Sequence, residues 1–285
     1  MTGVENRLPV VAGIDGSRAA LQAVRWAATE AARRDRPLLL LHVSPLPSRR
    51  PRDRGEARVA RGDAWFEAAH VARDTAPRVP VRTALRVGSA AEELVRASGA
   101  AELVVLGSRG LGGLAGVLLG SVAATVAAHA RCPVIIVRGL TPEEGAGHDT
   151  AAPPTRRPVV VGVDGSPDSD AAVGFAFDAA ANRGVPLIAV HAEHRTPATS
   201  APTLPAEWLA RWSAKYPHVE LRQSLVSARP RPALLDAASR AQLIVVGARG
   251  RSAVAGVPLG LHSQALLRHS ECPVAVVHAQ ERAGT

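Results

Sequence analysis

PVVAGIDGS at residues 9–17 returns as PVVVGVDGS at 158–166, with seven of nine positions identical. LVVLGSRG (103–110) returns as LIVVGARG (243–250), and RCPVIIV (131–137) as ECPVAVV (271–277). The offset is 149 residues at the first match and 140 at the other two, so the second copy is nine residues shorter in its middle. Copies of this length are homologous domains, since the repeats of a solenoid are far shorter. A chain of 285 residues accommodates two domains of ordinary size. Between them GLTPEEGAGHDTAAPPTRRP (139–158) has the Gly, Pro, Thr and charge content of a linker. The expected organisation is domain one at 1–140, a linker at 141–157 and domain two at 158–280.

Within each copy short unbroken apolar runs alternate with helical patterns. PVVAGI has no polar alternation, as in a strand buried on both faces. Ser17 then suits an N-cap, and RAALQAVRWAATEAARR sets Leu21, Val24, Ala28 and Ala31 on one helical face. In copy two Ser166 is the cap and Pro167 fits the first helical position. Asp168 and Asp170 complement the dipole, and Gly184 ends the helix. PLLLLHV (37–43) and PLIAVHA (186–192) read as second strands, followed by helices carrying Trp65 and Phe66, or Trp208 and Trp212. VRTALRV (81–87), a helix over 89–98, the strand ELVVLG, a helix from about Ser121 and the strand PVIIV complete copy one. This alternation specifies an α/β class: two doubly wound domains, each a mainly parallel sheet with helices on both faces.

Composition removes several functions. Lys215 is the sole lysine and lies in SAKYPH, which matches neither a P-loop nor the phosphate-binding lysine strand of a protein kinase. The net charge is +9, and its densest basic stretch is residues 45–62, with six arginines against Asp53 and Glu56. That stretch has no aromatic residue for base stacking, so it reads as a solvated loop and no nucleic-acid partner is expected. Cys132 and Cys272 stand in CPV triplets without CxxC spacing, which specifies neither a disulfide framework nor a zinc site. MTGVENRLPV has no apolar signal core, and a cytoplasmic location is expected.

LGSRGLGGLAGVLLGS (106–121) carries six glycines and a single charge, Arg109. Residues 111–130 are uncharged, with Gly112, Gly116 and Gly120 in GxxxG spacing, which by length suits a membrane span. The equivalent stretch in copy two contains Arg251, Pro258 and Arg268, so no membrane association is expected. The other reading is a phosphate cradle. Gly107, Gly110, Gly120 and Ser121 form G-x2-G-x9-G-S, with the first pair after a strand and the second opening a helix. Glycines let a backbone approach a ligand closely, and a helix N-terminus attracts anions.

The strand-D-G-S opening, this loop and the closing CPV strand resemble the universal stress protein family in its tandem two-domain form. The resemblance implies a sheet order of 3-2-1-4-5 and binding of ATP, with Mg2+, in each intact domain. It places Asp15 on the ribose and the Val43 backbone on the adenine edge, next to Gly13, Ile14 and Leu106 at the strand ends. It sets Gly107 and Gly110 along the ribose and phosphates, with Gly120, Ser121 and Val122 holding the phosphates; Arg109 suits either an added charge there or a solvated loop position. A carboxylate accepting from ribose hydroxyls has precedent in dinucleotide folds; Asp15 also suits a simple turn. The resemblance further implies pairing through the last strands, between domains and in a homodimer.

Copy two retains Asp164, Gly247, Gly250 and Gly260, but Leu261 replaces the serine, Pro258 enters the loop, and Ala228 stands where copy one has Gly88. Weaker nucleotide binding, or none, is expected there. His191, Glu193 and His194 suggest a metal cluster only superficially, because His194 points away from the other two on a strand. No metal site and no catalytic residue is assigned. The expected function is an ATP-binding stress regulator or sensor; the alternatives are an interaction module without nucleotide, or a weak ATP hydrolase on the same fold.

Overall fold

Val10–Ile14 (β1) is covered on both faces, with Val10 and Ala12 fully buried, and such a strand needs neighbours on both edges as well. It has them: Leu38–Ser44 (β2) on one side and Leu103–Gly107 (β4) on the other, both parallel. The structure, a computed structural model, describes residues 7–45, 64–110, 119–138, 157–192, 206–251 and 256–279. Residues 139–156, which hold the expected linker up to Arg156, most of the arginine-rich stretch (46–62) and loop residues 111–118, which include Gly112 and Gly116, lie outside the described residues.

The chain divides into two compact units, residues 1–140 and 141–285. In unit one Val81–Val87 (β3) pairs with the free side of β2, and Val134–Val137 (β5) pairs with β4. The order is β3-β2-β1-β4-β5, all parallel. Unit two repeats it with Val159–Gly162 (β6), Leu187–Ala192 (β7), Leu221–Val226 (β8), Leu243–Gly247 (β9) and Val274–Val277 (β10), in the order β8-β7-β6-β9-β10. The strands β3 and β8 are largely exposed, the central ones buried.

Unit one's helices are Arg18–Arg34 (α1), residues 64–75 (α2), Ala90–Ser98 (α3) and Ser121–His129 (α4). Unit two's are Pro167–Arg183 (α5), Ala206–Lys215 (α6), Pro230–Ser239 (α7) and Leu261–His269 (α8). The caps are those the sequence specifies. Ser17 Oγ accepts from Ala20 N at 3.1 Å and Ser166 Oγ from Ser169 N at 3.2 Å. Gly184 closes α5 in the left-handed conformation. The buried face of α1 differs from the sequence reading: Ala20, Ala23, Val24, Ala27, Ala28 and Ala31 form it, while Leu21 is only half-buried. Alanines allow the helix to lie close against β1 and β4, and a leucine at the centre of that face would hold it off.

Unit two's core is strengthened by aromatic packing. Phe177 on α5 is fully buried and stacks on Tyr216 at 5.9 Å between centroids. Arg211 on α6 donates to both Asp170 oxygens at 2.7 Å, and Trp212 Nε1 donates to the same carboxylate at 3.2 Å, fastening α6 to α5. Phe177→Ala is expected to destabilise the protein by about 3–5 kcal/mol, as for other buried aromatics cut to alanine. Urea denaturation followed by tryptophan fluorescence reads this as a lower midpoint; an unchanged midpoint would show that the ring contributes nothing.

Candidate functional site

The chain leaves β1 toward β2 and β3 on one side, and β4 is followed by β5 on the other. The winding therefore reverses between β1 and β4, and in such sheets ligands settle beyond the carboxyl ends of the strands at that reversal. Asp15 lies there, immediately after β1. Its Oδ1 accepts from Ser17 N at 2.9 Å, so one oxygen holds the turn into α1. Oδ2 faces the loop after β4: a Cβ added to Gly110 would lie 2.5 Å from it. Beside them the Nδ1 of buried His42 lies 2.9 Å from Ile14 O. A carbonyl only accepts, so Nδ1 carries the proton and ties the end of β2 to that of β1.

Gly107 is glycine for a protein reason. A Cβ there would meet the Ala19 backbone at 2.7–2.8 Å, in the first turn of α1. Its neighbour Leu106 faces the other way, onto α3, where a Cβ on Gly13 would strike Leu106 Cδ2 at 2.5 Å and Leu94 at 3.3 Å. Gly13, Leu106 and the buried Ile14 thus pack the core beneath the site. The chain returns at Gly120, whose N–H donates to Ser108 O at 2.7 Å. Gly120 has φ −71° and ψ 151°, ordinary extended values, and its imaginary Cβ would meet nothing closer than 3.5 Å. Neither strain nor crowding by the protein explains glycine here, in contrast to Gly107 and Gly110.

α4 then starts at Ser121 with no side-chain cap. Its first-turn N–H groups have no intrahelical acceptor and carry the positive end of the dipole. Ser121 is exposed and Val122 half-buried. Arg109, half-buried, and exposed Gly110 complete the loop facing this helix end. On the far side β2 runs past the last β1 residue, since the ladder ends with Ile14 opposite His42 while β2 continues through Val43 to Ser44. The backbone at Val43 therefore reaches the space beyond β1. The structure gathers Asp15, Gly107–Gly110, Gly120–Val122 and the end of β2 at one edge of the sheet. The nine-residue α4, preceded by extended Gly120, also interrupts any continuous helix over 111–130. No described helix is long and apolar enough to cross a membrane.

Unit two has the same framework with different chemistry. Asp164 Oδ1 accepts from Ser166 N (3.0 Å) and Ser166 Oγ (2.7 Å), while Oδ2 accepts from Arg251 N at 2.9 Å. A Cβ added to Gly247 would lie 2.8 Å from Asp168 and one on Gly250 2.5 Å from Asp164 Oδ2, and Gly260 N donates to Ala248 O. Leu261 replaces Ser121 and is 80% exposed. Ser263, two residues on, is no substitute: its buried hydroxyl donates to Gly247 O at 2.7 Å. The strand end next to β7 changes as well. Gly88 adopts φ +144° and donates to Ser44 O, extending the ladder. Ala228 does not adopt a positive φ, and its N–H closes a short turn onto Val226 O instead. His191 repeats the His42 bond, to Val163 O at 2.6 Å. Glu193 and His194 lie outside the described residues, among which no cluster of three or more metal-ligating side chains occurs.

Asp168 escapes the sequence reading. It stands in the first turn of α5, yet the residue is 4% exposed and its carboxylate faces Arg249 and Ala279, far along the chain. The only sequence signal is that alanine, Ala19, occupies the matching place in copy one.

With the geometry in place, comparison with known proteins identifies relatives along the whole length. The profile of the Universal stress protein family matches residues 7–138 and 155–278. A universal stress protein of Mycolicibacterium smegmatis is 36% identical over 292 residues, covering 94% of this chain and 96% of that protein. One from Mycobacterium tuberculosis is 36% identical over 293 residues with the same coverage. The crystal structure of a universal stress protein from Archaeoglobus fulgidus superposes at TM-score 0.73 with 20% identity, across 95% of this chain and 98% of that one, a likeness of fold.

The two cysteines stand apart from the site, each at the head of a unit's last strand. Burial, the leading cause, pushes the Cys132 thiol up to about 12 and Cys272 to about 11. An unfolded thiol ionises near 8.5, so the unfolded chain loses these protons first as pH rises. The stabilisation from keeping the thiols neutral is present below about pH 8.5 and is lost as pH climbs through the folded values. Iodoacetamide at about pH 8 is expected to leave both cysteines unmodified in the native protein and to alkylate both in urea. Fast native alkylation, read by mass spectrometry, would show a reactive thiol instead.

Proposed function

Since the chain belongs to the universal stress protein family in both of its halves, we propose that unit one binds an adenine nucleotide, ATP with Mg2+, and that the protein serves as a nucleotide-dependent stress regulator rather than a catalyst. The observation that carries this reading is the convergence, at the β1/β4 reversal, of the Asp15 carboxylate with the uncapped N-terminus of α4. Asp15 accepts from the ribose hydroxyls, and the Val43 backbone meets the adenine edge. The first-turn N–H groups of α4 and the Ser121 hydroxyl hold phosphate oxygens, in the space that a side chain at Gly120 would fill. Backbone donors and a dipole suffice for a polyphosphate without lysine. Mg2+ enters on the phosphates, as this ion commonly does with few protein ligands; it neutralises phosphate charge and calls for no protein cage.

Displacement of a fluorescent ATP analogue by MgATP tests this reading. Asp15→Asn and Gly110→Ala, whose methyl would push the Asp15 carboxylate aside, are each expected to weaken binding roughly tenfold or more, the size of a lost charge-assisted hydrogen bond. Ser121→Ala is expected to lose about threefold to tenfold, in keeping with one lost hydroxyl. A wild-type protein that ignores the analogue, or variants that all bind it unchanged, would refute the assignment. Multiple-turnover ADP release would favour a weak hydrolase over a regulator.

A further inference from the structure

The proposed cradle exists twice in outline, and copy two differs by a buried carboxylate. Asp168 Oδ2 accepts from Arg249 N at 2.9 Å and faces Arg249 Nε at 3.5 Å, while Oδ1 accepts from Ala279 N at 2.9 Å. Arg249 sits in the loop between Gly247 and Gly250, so one residue takes up an amide of the cradle loop, pairs with its arginine and fixes a negative charge beneath it. The loop is held at its other end too, by Asp164 Oδ2 on Arg251 N. In copy one the matching residue is Ala19, which has no side-chain acceptor to offer, and it lies against Gly107 as Asp168 lies against Gly247.

Resting on the nucleotide reading of unit one, we propose that Asp168 is the specificity-determining residue that keeps polyphosphate out of unit two. A bound phosphate there would face a fixed, buried carboxylate, and a loop already committed to an internal anion would have to release it. Leu261 removes a hydroxyl from the site; Asp168 makes it repel what the hydroxyl would have held. The two act separately, one by lost attraction and one by added repulsion.

The test transplants the residue. Ala19→Asp in the full chain is expected to weaken binding of the fluorescent ATP analogue at unit one by roughly tenfold or more, equivalent to about 1.4 kcal/mol. Ala19→Asn, of the same size without the charge, is expected to lose under about threefold. An Ala19→Asp protein that binds as wild type, or an Ala19→Asn protein that falls equally far, would overturn the proposal. If thermal melting shows that Ala19→Asp does not fold, the reverse exchange decides. Leu261→Ser alone should leave one site per chain, and Leu261→Ser with Asp168→Ala should create a second. A second site in Leu261→Ser alone, or none in the double variant, counts against Asp168. A wild-type chain that binds no analogue fails the nucleotide reading first, and this proposal with it.

Discussion

The contact on which the rest depends is the backbone approach of α1 to the end of β4, where Gly107 meets Ala19 within van der Waals limits that no side chain would satisfy. It sets α1 close enough for the turn at Asp15 to reach the loop after β4, and Asp15 in turn presses on Gly110. The alanine face of α1 serves the same end, since bulkier residues would lift the helix away. From that anchored loop Ser108 accepts the Gly120 amide, and α4 begins at the same edge without a side-chain cap. Each step positions the next.

Unit two repeats the scaffold with different residues around its loop. Gly247 and Gly250 make the packing contacts of Gly107 and Gly110, so they persist for the fold regardless of any ligand. Around them Ser121 gives way to Leu261, Gly88 to Ala228 and Ala19 to Asp168, while Gly120, which no protein atom crowds, persists as Gly260. The pair Gly107 and Gly110 therefore reports the fold, and a ligand has to be argued from the positions around it.

Much of this is legible in the sequence for definite reasons. Unbroken apolar runs such as VVAGI and LVVLG identify strands buried on both faces. Ser17, Ser166, Pro167 and Gly184 mark helix ends because their chemistry suits few other places. The buried face of α1 is less legible, since alanine is weakly hydrophobic and Leu21 draws attention to a neighbouring stripe. Asp168 reads locally as a dipole partner; its real partners, Arg249 and Ala279, lie 81 and 111 residues away and meet it only through the fold. The distinct duties of Gly107 and Gly120 look alike in a spacing pattern and separate only when a Cβ is placed on each.

Backbone hydrogen–deuterium exchange with and without saturating MgATP tests the central claim most directly, because it reads both units in one sample. Peptides spanning residues 13–17, 106–110 and 120–123 should exchange more slowly with nucleotide, while those spanning 162–166, 246–250 and 260–263 should not change. No protection in the first set, or equal protection in both, would contradict a nucleotide cradle confined to unit one.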